Sequence, residues 1–218
     1  MNAFSQRLLA CLTPGVRWLL ALFAGVYLMA IIGRWLHVFD LYSWLTLSGL
    51  KFWDGQVWRL VTYALLPFGI LDLIMNCLAL VVLGGRLERF WSRGELWLYC
   101  AVTTAGAGLV KVLLQPGSPL PLTGAAPMMF GLLMAWAFMR GGERLVMEPF
   151  GGVSVWQLVL VAAGISLLVV LLTAGLVIAL VMASSGLTGF LYLWLQHKWL
   201  MSRASRVVRS ERINRLEL

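Results

Sequence analysis

Charged residues are scarce in this sequence, at 12% of the chain, while hydrophobic residues make up 61% and the mean hydropathy is +0.88. A soluble domain carries roughly 25% charged residues. A chain with so little charge has too few hydrated side chains to cover its surface. This excludes a soluble globular domain and indicates that lipid is the main solvent. The 218 residues fit one helical bundle without a second domain.

Acidic residues are scarcer still, since nine of them stand against seventeen basic residues and leave a net charge of +8. Such a charge could indicate a nucleic-acid partner. The basic residues, however, lie at the ends of apolar segments and in the cytoplasmic tail predicted at 197–218. Positive charge at such places sets membrane topology and meets anionic headgroups. We therefore expect no nucleic-acid partner, and anionic lipid at the tail.

The tail itself has two interpretations. Val207, Val208, Ile213 and Leu216 are interleaved with arginines, a pattern that favours an amphipathic helix on an anionic membrane surface. The alternative is a disordered tail whose positive charge only keeps it in the cytoplasm.

Histidine and cysteine are nearly absent. Cys11, Cys77 and Cys100 have no metal-ligand spacing, and the last two fall inside apolar segments, where cysteine behaves as a small hydrophobic residue. The two histidines, His37 and His197, lie at the ends of predicted membrane helices. We expect no metal, no cofactor and no disulfide, and we expect neither histidine to reach the centre of the bundle.

Apolar segments of about 20 residues are typical of membrane-spanning helices, and six are predicted. Their approximate bounds are 16–36, 68–83, 96–114, 124–139, 155–172 and 174–196. The turn between the last two is predicted at Thr173, Ala174 and Gly175. The expected fold is all-α: a polytopic membrane protein whose six-helix transmembrane domain covers residues 1–196.

Basic residues are distributed unequally between the two ends of the predicted bundle. Thirteen lie in the N-terminal segment, the second and fourth loops and the tail, against four on the opposite side. The positive-inside rule therefore places both termini in the cytoplasm, as an even number of spans also requires. The basic tail and the small number of cysteines fit the inner membrane of a bacterium.

The long connection between the first two helices is rich in aromatic residues, which favour the membrane interface. They are Phe39, Tyr42, Trp44, Phe52, Trp53 and Trp58. We expect this loop to lie half-submerged at the outer surface. Arg59 should bond loop carbonyls through its rigid fork of donors, and Trp58 should anchor at the interface, whereas Lys51 should contribute little.

Short motifs occur in order from this loop to the last helix. They are Trp58-Arg59; Asp72 with Asn76 four residues on; Gly84-Gly85-Arg86-Leu87-Glu88-Arg89; Gly124-Ala125-Ala126-Pro127 with Gly131; and Met182 with Ser185 and Gly189. In order and position they resemble the motifs of the rhomboid family of intramembrane serine proteases. Each motif is weak alone, but together they form a strong match over roughly residues 59–194. The resemblance implies a rhomboid-like six-helix bundle.

The same resemblance identifies missing catalytic groups. In rhomboids a serine on helix four attacks the substrate, a helix-six histidine takes its proton, and a helix-two histidine and asparagine stabilise the oxyanion. The corresponding positions hold Ala126, Met182, Asp72 and Asn76, and Pro127 replaces the glycine after the serine. A site without nucleophile or base, and with a carboxylate that repels an oxyanion, predicts no enzyme activity.

A sequence that keeps the motifs of the family scaffold but lacks the catalytic groups predicts a rhomboid pseudoprotease. Such a protein would bind transmembrane helices of client or partner membrane proteins without cutting them, at the opening that the family offers between helices two and five. Inactive relatives such as the derlins are associated with client handling. The alternatives are a structural subunit of a membrane complex and an atypical protease that uses Asp72, Asn76 and Ser184 or Ser185. A transporter is a weaker third.

Small and charged residues within the predicted helices have further interpretations. Ser185 and Gly189 form a small-residue face that should pack helix six onto helix four. A relocated nucleophile at Ser184 or Ser185 is disfavoured because no base accompanies it. Asp72, an ionisable residue inside the membrane, is a candidate functional residue, and it either pairs with Lys111 at similar depth or reaches the interface separately.

Overall fold

The computed structural model describes residues 12–37, 39–142, 144–147 and 151–216, with the backbone alone for 144–147, 151–153 and 200–216. Cys11 and the tail side chains from residue 200 onward lie outside the described part. The helices are α1 Pro14–Trp35, α2 Leu41–Leu45, α3 Gly49–Trp53, α4 Arg59–Thr62, α5 Ile70–Ala79, α6 Gly85–Leu87, α7 Arg93–Leu114, α8 Ala126–Arg140, α9 Val155–Ala174 and α10 Leu176–Leu216. A 3₁₀ turn at Tyr63–Leu65 follows α4, and a π-helical turn at Leu80–Gly84 joins α5 to α6.

Within the described residues, five helical segments are long and apolar enough to cross a membrane. They are Pro14–Trp35, Ile70–Leu87, Arg93–Leu114, Val155–Ala174 and Leu176–Trp199. The remaining predicted segment, the fourth, is the shorter apolar helix α8, with 15 residues. The expected all-α polytopic bundle is confirmed, and α10 continues past the predicted domain boundary at residue 196 as far as Leu216.

Two features of the connections concern the last three helices. An antiparallel hairpin of β1 Arg144–Met147 and β2 Gly151–Ser154 lies between α8 and α9. Sequence analysis missed it because four-residue strands are too short to show a clear alternation. The predicted turn before α10 is present, and it is made by Gly175 alone, whose φ of 86° is open to glycine at little cost.

The helices differ widely in how much of their surface the bundle covers. Of the 18 consecutive residues that make the most apolar part of each helix, half are buried in α7 and 11% are buried in α9. In α9 the buried residues are Val155 and Val159, which pack against Trp136 and Ala137 near the end of α8. The bundle therefore has α7 and α8 at its centre, and α9 is held mainly by its first turns.

Close helix packing is centred on the side chain of Thr103 in α7. A Cβ placed on Gly131 of α8 would lie 2.7 Å from Thr103 Cγ2, and one placed on Gly189 of α10 would lie 3.2 Å from the same atom. Both glycines are therefore needed for the three backbones to approach one threonine. Lipid supplies no hydrophobic drive for helix association, so this dispersion contact and nearby hydrogen bonds hold the helices together.

The position of Gly189 corrects the expected packing partner. Ser185 does contact α8, the predicted helix four, because its hydroxyl donates to the carbonyl of Pro127. Gly189, however, packs on α7, where an added Cβ would overlap the hydroxyl of Tyr99. That hydroxyl is fixed because it donates to the Gly131 carbonyl at 2.6 Å. Sequence spacing put both small residues on one face but could not show that two helices share it.

A methyl group at Gly189 should already destabilise the protein. Gly189→Ala and Gly189→Leu are both expected to lower Tm in detergent, the leucine more, because overpacking typically costs about 1–3 kcal/mol. Gly186→Ala is the matched control on the same helix, since its Cβ would meet only Met134 Cε at 3.7 Å. The control should be neutral or slightly stabilising, as alanine is the better helix former. Equal melting curves for the position-186 and position-189 variants would remove the role assigned to this contact.

Arg59 organises the first loop, as expected. Its side chain is 3% exposed. Nη1 donates to the carbonyls of Ser43 at 2.8 Å and Thr46 at 2.6 Å, and Nε donates to Oε1 of Gln56 at 2.6 Å. Trp58 beside it is about half exposed, which suits an interfacial anchor. One guanidinium therefore joins the end of the α2 segment to the start of α4.

Lys51 corrects another expectation for this loop. Its ammonium donates to the Ser43 carbonyl at 2.8 Å, so it shares an acceptor with Arg59. Spacing along the chain does not connect the two cations, because their common acceptor is a backbone oxygen. Lys51 therefore contributes to the loop, and it is unsuitable as an inert control for Arg59.

Truncation of Arg59 is expected to loosen the first loop. Arg59→Ala leaves the Thr46 carbonyl without its guanidinium donor, a loss that costs about 1–3 kcal/mol, while the Ser43 carbonyl keeps Lys51. The expected result is a lower Tm and faster proteolysis within residues 41–62 in detergent. Arg34→Ala, which removes an exposed arginine at the end of α1, is the control and should match the parent protein. If both variants melt and digest alike, Arg59 is only an interfacial charge.

Candidate functional site

A cavity of about 570 Å³ lies between the start of α5, the end of α7, the start of α8 and the α9–α10 turn. Its wall is mostly apolar, with a few polar residues. The lining includes Phe68, Asp72, Lys111, Gln115, Leu122, Thr123, Gly124, Ala126, Val170, Gly175, Val177, Ile178 and Met182. Ala126, Met182 and Asp72, which the family resemblance aligned with catalytic positions, thus line the same cavity.

The shortness of α8 accounts for the location of this cavity. Fifteen residues at about 1.5 Å each make a helix of roughly 22 Å, which is less than the roughly 30 Å of a bilayer core. The neighbouring helix α7 has 22 residues. The first turn of α8 therefore starts within the bundle, and the space that further turns would have filled remains open above Ala126.

The segment before α8 is held by the first loop. Leu122 and Leu47 exchange backbone hydrogen bonds of 3.1 and 2.7 Å in an antiparallel bridge. The Gly124 N–H donates to the Tyr63 carbonyl at 3.2 Å. Gly124 has a φ of 96°, which a side chain would strain. The loop that Arg59 organises therefore also sets where α8 begins.

Tyr63 is the buried support of that segment. Its hydroxyl donates to the Thr104 carbonyl of α7 at 3.0 Å, and its side chain is fully buried. Burial raises the pKa of the phenol, so Tyr63 stays neutral and keeps this bond. The sequence alone assigned Tyr63 no role, because its acceptor is a backbone carbonyl of another helix.

Asp72 and Asn76 form a pair on the α5 wall. The Asn76 amide donates to Asp72 Oδ1 at 3.0 Å, and the backbone N–H of Phe68 donates to Asp72 Oδ2 at 3.0 Å. A carboxylate in the first turn also meets the positive end of the helix dipole. Asp72 therefore stabilises the start of α5 and at the same time places a carboxylate where an oxyanion stabiliser would be needed.

Both serines of the predicted helix six, which is α10 in the structure, donate hydrogen bonds to backbone carbonyls. Ser185 is fully buried and donates to the Pro127 carbonyl, while the Ser184 hydroxyl donates to the Val181 carbonyl at 2.8 Å. Met182, 7% exposed, is the member of this stretch that lines the cavity. His37, two residues beyond α1, and His197, near the end of the membrane-spanning part of α10, are both exposed. This arrangement places no histidine beside either serine among the described residues.

Lys111 lies on the same wall but does not pair with Asp72. Its ammonium donates to Oε1 of Gln115, one turn further along α7. The side chain is 2% exposed. Of the two alternatives left open by the sequence, pairing with Asp72 and snorkelling to the interface, the structure shows neither.

Glu88 performs a structural task at the opposite end of the bundle. Its carboxylate accepts from the backbone N–H groups of Gly15 at 2.7 Å and Val16 at 2.9 Å, and from the Thr13 hydroxyl. These are otherwise unpaired donors in the first turn of α1. Glu88 thereby fixes the start of α1 to the end of α6, and the absence of a side chain at Gly15 lets the carboxylate reach it.

The cysteines described here are free: Cys77 is half-buried and Cys100 is buried. In the described part of the chain, no group of three or more histidine, cysteine, aspartate or glutamate side chains is arranged to hold a metal ion. The polar residues of the site therefore act as hydrogen-bonding and charged groups on an apolar wall.

The structure is thus a helical membrane bundle in which the short central helix α8 lies below a recessed cavity. The rhomboid domain model matches residues 54–199, about two thirds of the chain. The chain belongs to the rhomboid family.

A curated relative is the rhomboid protease GluP of Bacillus subtilis (strain 168). It is 30% identical over 117 residues, which are 53% of this chain and 22% of that protein. The alignment thus spans about a fifth of the relative's length, and the similarity covers part of the membrane domain.

Restoring the two catalytic side chains should not restore proteolysis. The variant with Ala126→Ser and Met182→His is expected to leave a rhomboid model substrate intact in detergent. Pro127 still lacks a backbone N–H and Asp72 still faces the site with a carboxylate. A companion variant carries Pro127→Gly and Asp72→His in addition to these two substitutions, and Tm is measured for the double and the quadruple variant. Robust cleavage by the double variant alone would show that Pro127 and Asp72 are less important than argued here.

Proposed function

We propose that this rhomboid is a pseudoprotease that binds transmembrane helices of client or partner membrane proteins without cutting them. One observation carries the proposal: the cavity is open, yet its lining has no serine to act as nucleophile and no histidine to act as base, and Ala126 and Met182 stand at the positions where the resemblance implies them. Acyl transfer from a serine requires both groups in contact. A cavity that lacks them can still bind.

The position of the cavity supports a helical client. Its wall includes Asp72 of α5 and Val170 and Ala174 of α9, so it lies at the side where these two helices face each other. Beyond its first turns α9 is largely exposed, with side chains such as Ile165 and Leu168 more than half accessible. A client helix therefore meets an apolar surface that leads to the cavity, and little packing opposes displacement of α9.

The rival of an atypical protease would need Ser184 or Ser185 as nucleophile. Both hydroxyls donate to backbone carbonyls, and Ser185 is fully buried. Activation would break these bonds and require a base. These contacts favour a packing role. A structural subunit of a stable complex is the second rival, and the number of bound partners distinguishes it from client handling.

The proposal includes a location and an orientation. The charge distribution supports cytoplasmic termini in a bacterial inner membrane. Anionic lipid is the proposed partner of the basic tail. In this orientation the Glu88 end of the bundle faces the cytoplasm, and the cavity opens toward the outer leaflet.

The protein is expected to be inert as a serine hydrolase. A fluorophosphonate probe should not label it, and a rhomboid model substrate should stay intact, because neither a serine nor a histidine lines the cavity. Active rhomboid protease is the positive control. Labelling that disappears in a Ser185→Ala variant would support the rebuilt protease instead.

Client binding is tested separately by photo-crosslinking in native membranes. A benzoylphenylalanine placed at Val177, on the cavity wall, should capture membrane proteins. The same group at Leu187, an exposed residue of α10 outside the cavity, is the control and should capture few. Many substoichiometric partners would support client handling, and one stoichiometric partner a structural subunit. Equal capture at both positions would contradict a binding role for the cavity.

A further inference from the structure

Lys111 is a buried cation that the retained scaffold does not explain. It lies on the cavity wall with 2% of its surface exposed, and its ammonium is bonded to the neutral amide of Gln115. An ammonium has three donors and no acceptor. Burying it is costly unless its charge is balanced.

The carboxylate on the same cavity is engaged elsewhere. Asp72 accepts from Asn76 with one oxygen and from the Phe68 N–H with the other, and no ion pair joins it to Lys111. In the described residues Lys111 therefore has a hydrogen-bond acceptor but no counter-ion. The cavity wall on α7 is left with an unbalanced positive charge.

A simpler role for Lys111 would be to stabilise the C-terminal end of α7, whose dipole favours cations. That role explains a lysine in the last turn, but it does not require burial. A lysine near a helix end ordinarily extends its charge to the interface. The side chain of Lys111 instead stays inside the bundle, beside a space large enough for another molecule's side chain.

We propose, resting on the proposed function, that the cavity selects client helices that carry an aspartate or glutamate near the end that enters it. Lys111 acts as the counter-ion of that carboxylate, and Gln115 positions the ammonium. The apolar wall formed by Val170, Val177 and Ile178 accommodates the client's neighbouring aliphatic side chains. An acidic residue inside a membrane is costly by itself, so pairing with Lys111 favours clients that carry one.

The experiment uses the full-length protein in nanodiscs of zwitterionic phosphatidylcholine. The probes are leucine–alanine transmembrane peptides of about 23 residues with aspartate, asparagine or leucine placed two turns from the outer end. Photo-crosslinking from Val177 measures capture. The aspartate peptide should be captured about tenfold better than the leucine peptide, the scale of polar contacts between membrane helices.

Variants assign the preference to Lys111. Lys111→Met keeps a long apolar side chain, and it should reduce capture of the aspartate peptide to the level of the leucine peptide without changing the latter. Lys111→Arg should keep the preference. Lys198→Met is the matched control, because this lysine lies near the far end of α10 over the Trp194 ring. It should behave like the parent protein.

The outcomes separate this inference from the proposed function. Equal capture of aspartate and leucine peptides, or a preference that survives Lys111→Met, would overturn the inference and leave helix binding intact. Capture of none of the peptides would overturn both. A further arm repeats the measurement in nanodiscs that contain anionic phosphatidylglycerol. If the Lys111-dependent capture of the aspartate peptide is lost there, a lipid phosphate is the occupant and the proposal is overturned.

Discussion

Backbone approach at glycine positions is the constraint on which the rest of this membrane bundle depends. In water, helices associate to hide apolar surface, but in lipid that drive is absent and contact must come from packing and hydrogen bonds. Here Thr103 and Tyr99 of α7 fill the space left by Gly131 and Gly189. This contact fixes α7, α8 and α10 as a unit, and the remaining helices pack around it.

The cavity follows from the same constraint. Because α8 is short and is held by α7 and α10, its first turn starts below the ends of its neighbours. The space above it is closed on one side by the Gly175 turn and supported on another by the Leu47–Leu122 bridge. Arg59 takes part in this arrangement because it orders the loop that contributes Leu47. The shape of the cavity therefore depends on backbone and loop contacts.

The charged residues divide the molecule into two ends with different tasks. Glu88 joins α1 to the end of α6 through hydrogen bonds that a helix terminus would otherwise lack. At the other end, Asp72 and Lys111 line one cavity without pairing, and each is bonded to its own helix or its neighbouring loop. The first arrangement stabilises the fold, whereas the second keeps two charged side chains on the wall of one cavity.

The sequence alone determined the class of solvent, the apolar segments and the family, because scarce charge, runs of apolar residues and ordered motifs are properties of the chain itself. It also predicted the Gly175 turn and the carbonyl-bonding role of Arg59, and it singled out Ala126, Met182 and Asp72, which the structure brings to one cavity. Only the tertiary structure showed that Gly189 packs on α7, that Lys51 shares an acceptor with Arg59, and that Lys111 lies in the cavity without a counter-ion. These facts depend on which helices are neighbours and where backbone oxygens point, and spacing along one chain does not specify either.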